Sequence, residues 1–457
     1  WNAAIILNHV HPVGHLFGKL CINQSSCDCI CRCLVFQQVF GIKELWGIDF
    51  FWIAAIGLVV LTALYTIFGG MKSVLYTSVL QTPILLLGSL IILVLGFKEL
   101  GGWDEMMRVC GAVTVNDYGD TMTNLIRSND DANFPWLGAL IGSAIIGFWY
   151  WCTDQFIVQR VLSGKNEMEA RRGTIFGAYL KLLPVFLFLI PGMIAFALHQ
   201  KYIGAGGEGF LPMLANGTAN ADAAFPTLVA KLLPAGVKGL VVCGILAALM
   251  SSLASLFNSS AMLFTIDFYK RFRPETPEKK LVGIGQVATV VIVILGILWI
   301  PIMRSVGDVL YTYLQDVQSV LAPGIAAAFL LGICWKRTSA QGGMWGLIAG
   351  MVIGLTRLGA KVYYSNAGEV ADSTFKYLFY DMNWLFFCGW MFLFCIIVVI
   401  VVSLATKAPT AEKIQGLVFG TATKEQKAAT RASWNHWDII HTVIILAITG
   451  AFYWYFW

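Results

Sequence analysis

Charged residues are scarce in this chain: of its 457 residues only 12% are Asp, Glu, Lys or Arg, whereas 58% are hydrophobic. A water-soluble globule cannot enclose so large an apolar fraction behind so few charges. The scarcity of charge therefore excludes an ordinary soluble protein and indicates that lipid is the solvent for much of the surface.

The sequence also lacks the residue combinations that enzymes use. No paired carboxylates, metal-ligand cluster or nucleophile with its base recurs in the apolar segments. The glycine-rich stretch GAGGEG at 204–209 lies in a connecting segment rather than between a strand and a helix, so it does not match a nucleotide-binding loop. We therefore expect no enzymatic activity, no organic cofactor and no nucleic-acid partner.

Long apolar runs are abundant instead. A hydrocarbon core of about 30 Å requires roughly 20 apolar residues per helix. Ten such runs occur, at 49–68, 75–97, 135–162, 173–199, 236–265, 281–303, 309–334, 341–360, 380–405 and 438–456. They predict an all-α polytopic membrane protein.

Lys and Arg residues are concentrated in alternate connections between these runs. They are Lys72; Arg160, Lys165, Arg171 and Arg172; Lys270, Arg271, Arg273, Lys279 and Lys280; Lys336 and Arg337; and those in the linker 407–431. Because short cytoplasmic loops carry an excess of Lys and Arg, we expect these connections to face the cytoplasm. The acidic segments 98–134 and 200–231 and the C-terminus are then expected on the outer side. We expect the protein to lie in the plasma (inner) membrane.

The first 34 residues differ from the rest. Five cysteines lie in the tract CINQSSCDCICRC, at Cys21, Cys27, Cys29, Cys31 and Cys33, after a histidine-rich stretch. Thiolate and imidazole groups could form a soft-metal site. However, a nucleotide string that encodes residues 24–33 can also encode, one base later, the more apolar segment Lys-Val-Ala-Val-Thr-Val-Tyr-Ala-Gly. We therefore expect residues 1–34 to be an aberrant, non-native segment produced by a frameshift.

Polar side chains inside the predicted spans are candidates for function, because they are costly in a bilayer. Lys181 lies early in the fourth span, where its ammonium either serves a site or extends to the nearby basic face. Asp154 follows the aromatic run 148–151, which also fits ordinary packing or an interfacial belt.

Two further groups of polar residues lie deeper in the spans. Gln315 and Asp316 precede Pro323-Gly324, and a helix broken at that pair would mark a transporter binding site. The fifth span contains LAALMSSLASLFNSS, whose serines share one helical face. Small residues of this kind serve close helix packing, but their hydroxyl oxygens are also the ligands that a small hard cation prefers.

Six segments carry a family pattern. They are YTIFGGMKSVLYT at 65–77, WYWCTDQFIVQR at 149–160, GAYLKLLPVFLFLIPGM at 177–193, AFPTLVAKLLPAGVKGL at 224–240, LMSSLASLFNSSAMLFTIDFYKR at 249–271 and PGIAAAFLLGICWKR at 323–337. From about residue 35 to its end, the chain resembles the sodium/solute symporter family, in particular the sodium/glucose cotransporter branch. The form WYWCTDQ is most similar to the sugar and inositol carriers.

The resemblance implies a LeuT-like core of two inverted five-helix repeats, with substrate and ion bound near the middle of the membrane. The transporter region would comprise residues 35–457. The spans within 49–97 would be the last two helices of the first repeat, those within 135–334 the second repeat, and those within 341–457 peripheral helices. Roughly the first four helices of the family are expected to be missing.

The resemblance also implies half of a sodium site on the fifth span, made by the carbonyl of Ala248 and the hydroxyls of Ser251 and Ser252. Ser78 stands where sugar carriers usually have an aspartate on the sodium route. Ala254 replaces a hydroxyl residue associated with a second sodium ion. We therefore predict one sodium ion per substrate, with sodium as the only metal.

Ser78, Asp154 and Ser255 are further candidates for the ion route or for coupling. These three residues lie on three different predicted spans. Coupling between ion and substrate therefore requires the tertiary structure to bring them near the sodium site.

The sugar site implied by the resemblance draws on three spans. Tyr150 would be the inner aromatic gate that stacks on the sugar ring, with Trp151 beside it. Lys181 and Gln315 would hydrogen-bond sugar hydroxyls, which favours a functional role for the lysine. Gly147 falls where related carriers have a polar sugar-contacting residue, so the identity of the hexose stays open.

The expected function is sodium-coupled symport of a hexose or related polyol into the cell by alternating access. The expected partners are sodium, a small sugar or polyol, and the lipid bilayer. A membrane protein that only senses sugar, or an inactive fragment of such a symporter, is the alternative.

Overall fold

The computed structural model of the protein describes residues 44–456, apart from 214–216, 218, 305–309 and 367–370. The segment 1–34, which we predict to be aberrant, lies outside the described residues. The described residues begin just before the first predicted span, at 49–68.

Helices form most of the described chain. They are preceded by a short antiparallel pair of strands, β1 (Glu44–Leu45) and β2 (Ile48–Asp49). The longer helices are α1 (Phe50–Gly70), α2 (Val74–Leu100), α3 (Trp103–Gly111), α4 (Trp136–Cys152), α5 (Gln155–Leu162), α6 (Glu167–Gly204), α7 (Ala224–Leu232), α8 (Ala235–Phe272), α9 (Glu278–Arg304), α10 (Leu310–Cys334), α11 (Ala340–Asn366), α12 (Trp384–Ala405), α13 (Lys424–Ala432) and α14 (His436–Tyr455). Short helical segments occupy Ala221–Ala223, Thr374–Lys376, Tyr377–Asp381 and Ala411–Ile414.

Among the described residues, nine helices are long and apolar enough to cross a membrane, and the bent pair α4–α5 counted as one span makes ten. Each of the ten apolar runs in the sequence overlaps one of these spans. The prediction of an all-α polytopic membrane protein is confirmed, because length and composition alone specify spans of this kind.

The third predicted span is bent rather than straight. α4 and α5 meet at 47° across a break at Thr153 and Asp154. Asp154 has an extended backbone, and its Oδ1 accepts a hydrogen bond from the Phe156 N–H at 3.1 Å, as an N-cap residue does. The helix therefore restarts at Gln155 in a new direction.

The predicted break at Pro323-Gly324 was wrong. α10 continues as a helix through Pro323. The reason is close packing against α11: a Cβ placed on Gly350 would lie only 3.0 Å from the Cα of Gly324. Packing of neighbouring helices at this distance holds a proline-containing span in its helical path.

A second interruption lies between α1 and α2, at Gly70. Its backbone angles are φ 56° and ψ −161°, which are outside the helical region. A positive φ costs an L-residue steric strain that glycine does not suffer. The sequence GGMKS therefore separates the apolar runs 49–68 and 75–97 into two spans.

Eight of the described spans pack as two groups. In the first group, α8 packs against α1, α2 and α9, with Leu253 and Phe51 in its core. In the second group, α4, α10, α11 and α12 pack on one another around Trp149, Val320 and Cys388. Each group buries apolar side chains that lipid would otherwise solvate equally well, so close fit rather than water exclusion holds it together.

Helix α5 links the two groups. It continues from α4 of the second group and contacts α8 of the first. Phe156 of α5 packs against Leu256 of α8, and the Gln159 side chain donates to the Ser255 carbonyl at 3.3 Å. The bend at Asp154 therefore places the end of the third span against the serine-rich helix.

The connection 112–135, between α3 and α4, is organised by the carboxylate of Asp131. Its Oδ1 accepts the N–H groups of Phe134 at 2.7 Å and Asn133 at 2.9 Å, and Arg127 lies 3.5 Å from its Oδ2. Burial alone would raise the pKa of Asp131, but these hydrogen bonds and the Arg127 charge hold the pKa below its usual range. Folding of this connection therefore favours the ionised form.

Acid should loosen this connection. A carboxyl group whose pKa is lowered by folding adds stability that is complete above its unfolded-state pKa of about 3.9 and is lost as the pH falls through the folded-state value. We expect Asp131→Asn to cost about 2 kcal/mol of local stability near neutral pH. Backbone amides in 128–134 should then exchange with deuterium faster than in the wild type.

The difference between variant and wild type should disappear at the lowest pH, where Asp131 itself becomes protonated. Asp104→Asn, at an exposed position in α3, is the matched control and should exchange like the wild type. Equal exchange of wild type and Asp131→Asn at neutral pH would contradict the prediction.

Candidate functional site

Helix α8 contacts α2 through the hydroxyl of Ser251. The hydroxyls of Ser251 and Ser78 hydrogen-bond to each other across this contact. Ser252 Oγ donates to the Ala248 carbonyl at 3.1 Å, so these two oxygen atoms lie side by side. Ser251 is buried, whereas Ala248 and Ser252 are partly exposed. One side of this oxygen cluster is therefore accessible.

The chemistry of this cluster suits a small hard cation. A serine that donates its proton back to the carbonyl of the preceding turn keeps its oxygen lone pairs for another partner. Hydroxyl and carbonyl oxygens are the ligands that such cations prefer. The carbonyl of Ala248 and the hydroxyls of Ser251 and Ser252 are of this ligand type, and the sodium site that they would form stays a prediction.

Tyr65 of α1 fixes the position of this cluster. Its hydroxyl donates to the Met250 carbonyl at 2.6 Å, one residue before Ser251. A helix carbonyl that accepts a bond from a neighbouring helix is held in place relative to it. α1 therefore sets the position of α8 at the level of the serines.

Arg160 of α5 reaches the same helix. The sequence interpretation grouped it with a basic connection, but its Nη2 donates to Ser255 Oγ, and its guanidinium lies 5.2 Å from the Phe156 ring. Ser255 in turn donates to the Ser251 carbonyl at 3.0 Å. Polar contacts therefore lead from Ser78 through Ser251 and Ser255 to a guanidinium on the neighbouring span.

Gln159 reinforces this contact. Its Nε2 donates to Ser259 Oγ at 2.5 Å as well as to the Ser255 carbonyl. Sequence reasoning missed both α5 residues, although the pair Gln159-Arg160 within the apolar stretch FIVQRVL was a usable signal. A polar pair flanked by apolar residues at the end of a span indicates partners on another helix.

The residues expected to bind sugar on α4 and α6 lie together. The rings of Tyr150 and Trp151 are T-shaped with centroids 5.5 Å apart, and Lys181 Nζ lies 5.5 Å from the Trp151 ring. Trp151 is 47% exposed and Lys181 is exposed, whereas Tyr150 is half-buried. Aromatic faces beside an ammonium donor can stack on a sugar ring and hydrogen-bond its hydroxyls.

The other expected residues are placed less closely. Gln315 is half-buried on α10, which packs against α4. A Cβ on Gly147 would meet no atom within 4 Å, so there is open space beside this position. Asp154 is buried as the N-cap of α5. The described contacts thus bring neither Gln315 nor Asp154 directly to the serine cluster or to Lys181.

Comparison with known proteins gives consistent matches. The sequence profile described as the sodium:solute symporter family matches residues 30–350. The sodium/mannose cotransporter SLC5A10 of Bos taurus is 35% identical over 427 residues, which are 89% of this chain and 72% of that protein. The sodium/myo-inositol cotransporter 2 of Homo sapiens is 35% identical over 381 residues, 81% of this chain and 56% of that protein.

The sodium/glucose cotransporter 1 of Ovis aries is 37% identical over 389 residues, 82% of this chain and 58% of that protein. This chain therefore spans little more than half the length of the inositol and glucose carriers. Among solved structures, a substrate-bound, outward-open Na+-coupled sialic acid symporter is similar with a TM-score of 0.64 and 20% identity, over 90% of this chain and 78% of that one. That likeness shows the fold.

Proposed function

This chain belongs to the sodium:solute symporter family, and on that premise we propose that it carries out sodium-coupled symport of a sugar or related polyol. The relatives are named as sodium cotransporters of mannose, myo-inositol and glucose. The observation that carries the proposal is the oxygen cluster on α8, in which Ser251 hydrogen-bonds to Ser78 of α2 and the Ser252 hydroxyl lies 3.1 Å from the Ala248 carbonyl.

In this proposal, sodium is bound by the Ala248 carbonyl and the hydroxyls of Ser251 and Ser252. The sugar stacks on Tyr150, beside Trp151, and takes hydrogen bonds from Lys181 and Gln315. The open space beside Gly147 belongs to the sugar site and contributes to the choice of substrate. Ser78 and Ser255 extend the oxygen cluster along the ion route, whereas Asp154 acts by holding the bend between α4 and α5.

The bent pair α4–α5 is the physical link between the two sites. Its first helix carries the aromatic pair, and its second helix contacts the serine helix through Arg160 and Ser255. Sodium bound at α8 would favour the arrangement in which α5 rests on that helix, and so would order the sugar site on α4. Rocking of one helix group against the other would then expose both sites to the inside.

One sodium ion accompanies each substrate in this proposal. Ser78 supplies a hydroxyl rather than a charge, and Ala254, fully buried, supplies no side-chain oxygen for a second ion. One charge moving across 100 mV releases about 2.3 kcal/mol, which is enough to concentrate a sugar about fiftyfold. We place the protein in the plasma membrane with its C-terminus outside, on the distribution of Lys and Arg.

The test is uptake of labelled mannose, glucose and myo-inositol by the full chain reconstituted in proteoliposomes. We expect an inward sodium gradient to drive accumulation above equilibrium, a potassium gradient to drive none, and a sodium ionophore to collapse it. The opposing sugar gradient at which net flux stops and then reverses should correspond to one sodium ion per sugar.

Three results would contradict the proposal. Saturable sugar binding without any sodium-driven uptake would identify a sensor, and a ratio of two sodium ions per sugar would contradict the single ion site. Uptake that is equal in sodium and potassium would show that sugar transport is not coupled to sodium.

A further inference from the structure

A second polar cluster lies where α10, α11 and α12 meet, and one of its members, Asp316, directly follows Gln315. Asp316 of α10 forms an ion pair with Lys361 of α11, and its Oδ1 lies 3.5 Å from Nη2 of Arg357. Arg357 is fully buried, whereas the Lys361 side chain is 33% exposed. Two cations therefore share one carboxylate among these described residues.

The Arg357 side chain is held by neighbouring groups, but not all of its hydrogen-bond donors have partners. Its Nη2 donates to the Met382 carbonyl at 2.8 Å, and its guanidinium lies 4.1 Å from the centre of the Phe387 ring. Its Nε and Nη1 atoms are buried without a hydrogen-bond partner in the described structure, whereas Oδ1 of Asp316, an acceptor, has only the ion-pair contact with Nη2. Buried donors are nearly always paired, so the two unpaired guanidinium donors indicate a missing acceptor.

The charge balance identifies the kind of partner. A buried cation that is not neutralised is strongly unfavourable, and the cluster carries one positive charge in excess. A water molecule could accept a bond from the guanidinium but would leave this charge in place. An anion satisfies both the free donors and the charge.

Access and size restrict the anion further. Only 1% of the Arg357 side chain is exposed, so a lipid phosphate with its bulky substituents cannot approach Nε or Nη1. Lys361, one helical turn further along α11, is the more exposed of the two cations, with 33% of its side chain exposed. We propose that Arg357 and Lys361 bind a small monovalent inorganic anion of the chloride class, beside Asp316.

This site would connect α10 to α11. Asp316 follows Gln315, which the proposed function assigns to the sugar, so an anion bound at Arg357 would hold the helix that carries Gln315. That consequence rests on the proposed function, but binding of the anion itself does not. The experiment therefore measures binding rather than transport.

The test is the unfolding temperature of the purified full chain in detergent, with chloride replaced by gluconate at constant sodium and ionic strength. A ligand that binds the folded state raises the unfolding temperature in a saturable way. We expect such a rise with chloride and with bromide. Lys361→Gln should shift the half-saturating chloride concentration upward by about tenfold or more, because it removes one of the two cations.

Asp316→Asn should shift the half-saturating chloride concentration in the opposite direction, downward, which separates anion binding from a general loss of stability. Removing the carboxylate leaves two cations unopposed, so this variant should respond at lower chloride concentration than the wild type, even if its stability without chloride is reduced. Lys376→Gln is the matched control, because this lysine pairs with Asp372 at 2.9 Å on the surface and should leave the response unchanged.

Three results would overturn the proposal. The first is a chloride response that is absent, or is the same in wild type, Lys361→Gln and Asp316→Asn. The second is a response that appears only in Glu369→Gln, which would identify Glu369, outside the described residues, as the neutralising group. The third is stabilisation by anionic lipid but not by chloride, which would assign the cations to a headgroup.

Discussion

Replacing Ser252 with alanine should lower the apparent sodium affinity of sugar uptake by about ten- to a hundredfold, the loss typical of removing a group that orients or supplies a metal ligand. The hydroxyl lies 3.1 Å from the Ala248 carbonyl, and the change removes one oxygen while leaving that carbonyl in place. Sodium-dependence curves at saturating sugar measure the effect. The maximal uptake rate at very high sodium should change much less.

Ser260→Ala is the matched control for this prediction. Ser260 lies on the same helix and is buried, but its hydroxyl has no hydrogen-bond partner in the described structure. It should leave the sodium dependence unchanged. Equal sodium curves for Ser252→Ala and Ser260→Ala would show that the serine face serves helix packing rather than ion binding.

Replacing Lys181 with methionine should weaken sugar binding by about ten- to a hundredfold, because hydrogen bonds that involve a charged group contribute about 1.5–3 kcal/mol. Methionine keeps a similar length and can still pack against the Trp151 ring, which the lysine ammonium approaches at 5.5 Å. Sugar binding measured at saturating sodium should fall, while the sodium affinity without sugar should stay near that of the wild type.

Lys231→Met separates this effect from a general loss of cation–π contacts. Lys231 Nζ lies 4.7 Å from the Phe210 ring and donates to the Phe210 carbonyl, on α7 and far along the chain from the aromatic pair. Its loss should reduce stability without changing sugar affinity. If Lys181→Met binds sugar as the wild type does, the lysine extends toward the membrane surface and has no role in the site.

The positions of the spans followed from the sequence because they depend on local properties. Twenty apolar residues span a bilayer wherever they occur, and all ten runs overlap observed spans. The serines of α8 were also identifiable, since hydroxyls recurring along one helical face are visible in the sequence itself. Their partner was not identifiable, because the Ser78–Ser251 contact joins residues that are far apart in the chain.

The shape of individual spans was less predictable. A Pro-Gly pair in α10 predicted a break that the packing of Gly324 on Gly350 prevents, whereas the real break arises at Asp154, a capping residue in a run that reads as one span. Both outcomes depend on which groups stabilise or oppose the helix from outside. The sequence of one apolar span does not show which residues of other helices pack against it.

The sequence by itself determined the membrane environment, the spans of the described part of the chain and the residue types from which a sodium and sugar site is proposed, because these depend on composition and on short motifs. Only the tertiary structure decided that Arg160 turns toward Ser255 and that Asp316 meets both Arg357 and Lys361. Those contacts are set by the relative rotation and depth of packed helices. In lipid, where apolar residues have no preference for one another over the solvent, close packing and buried polar contacts fix that arrangement.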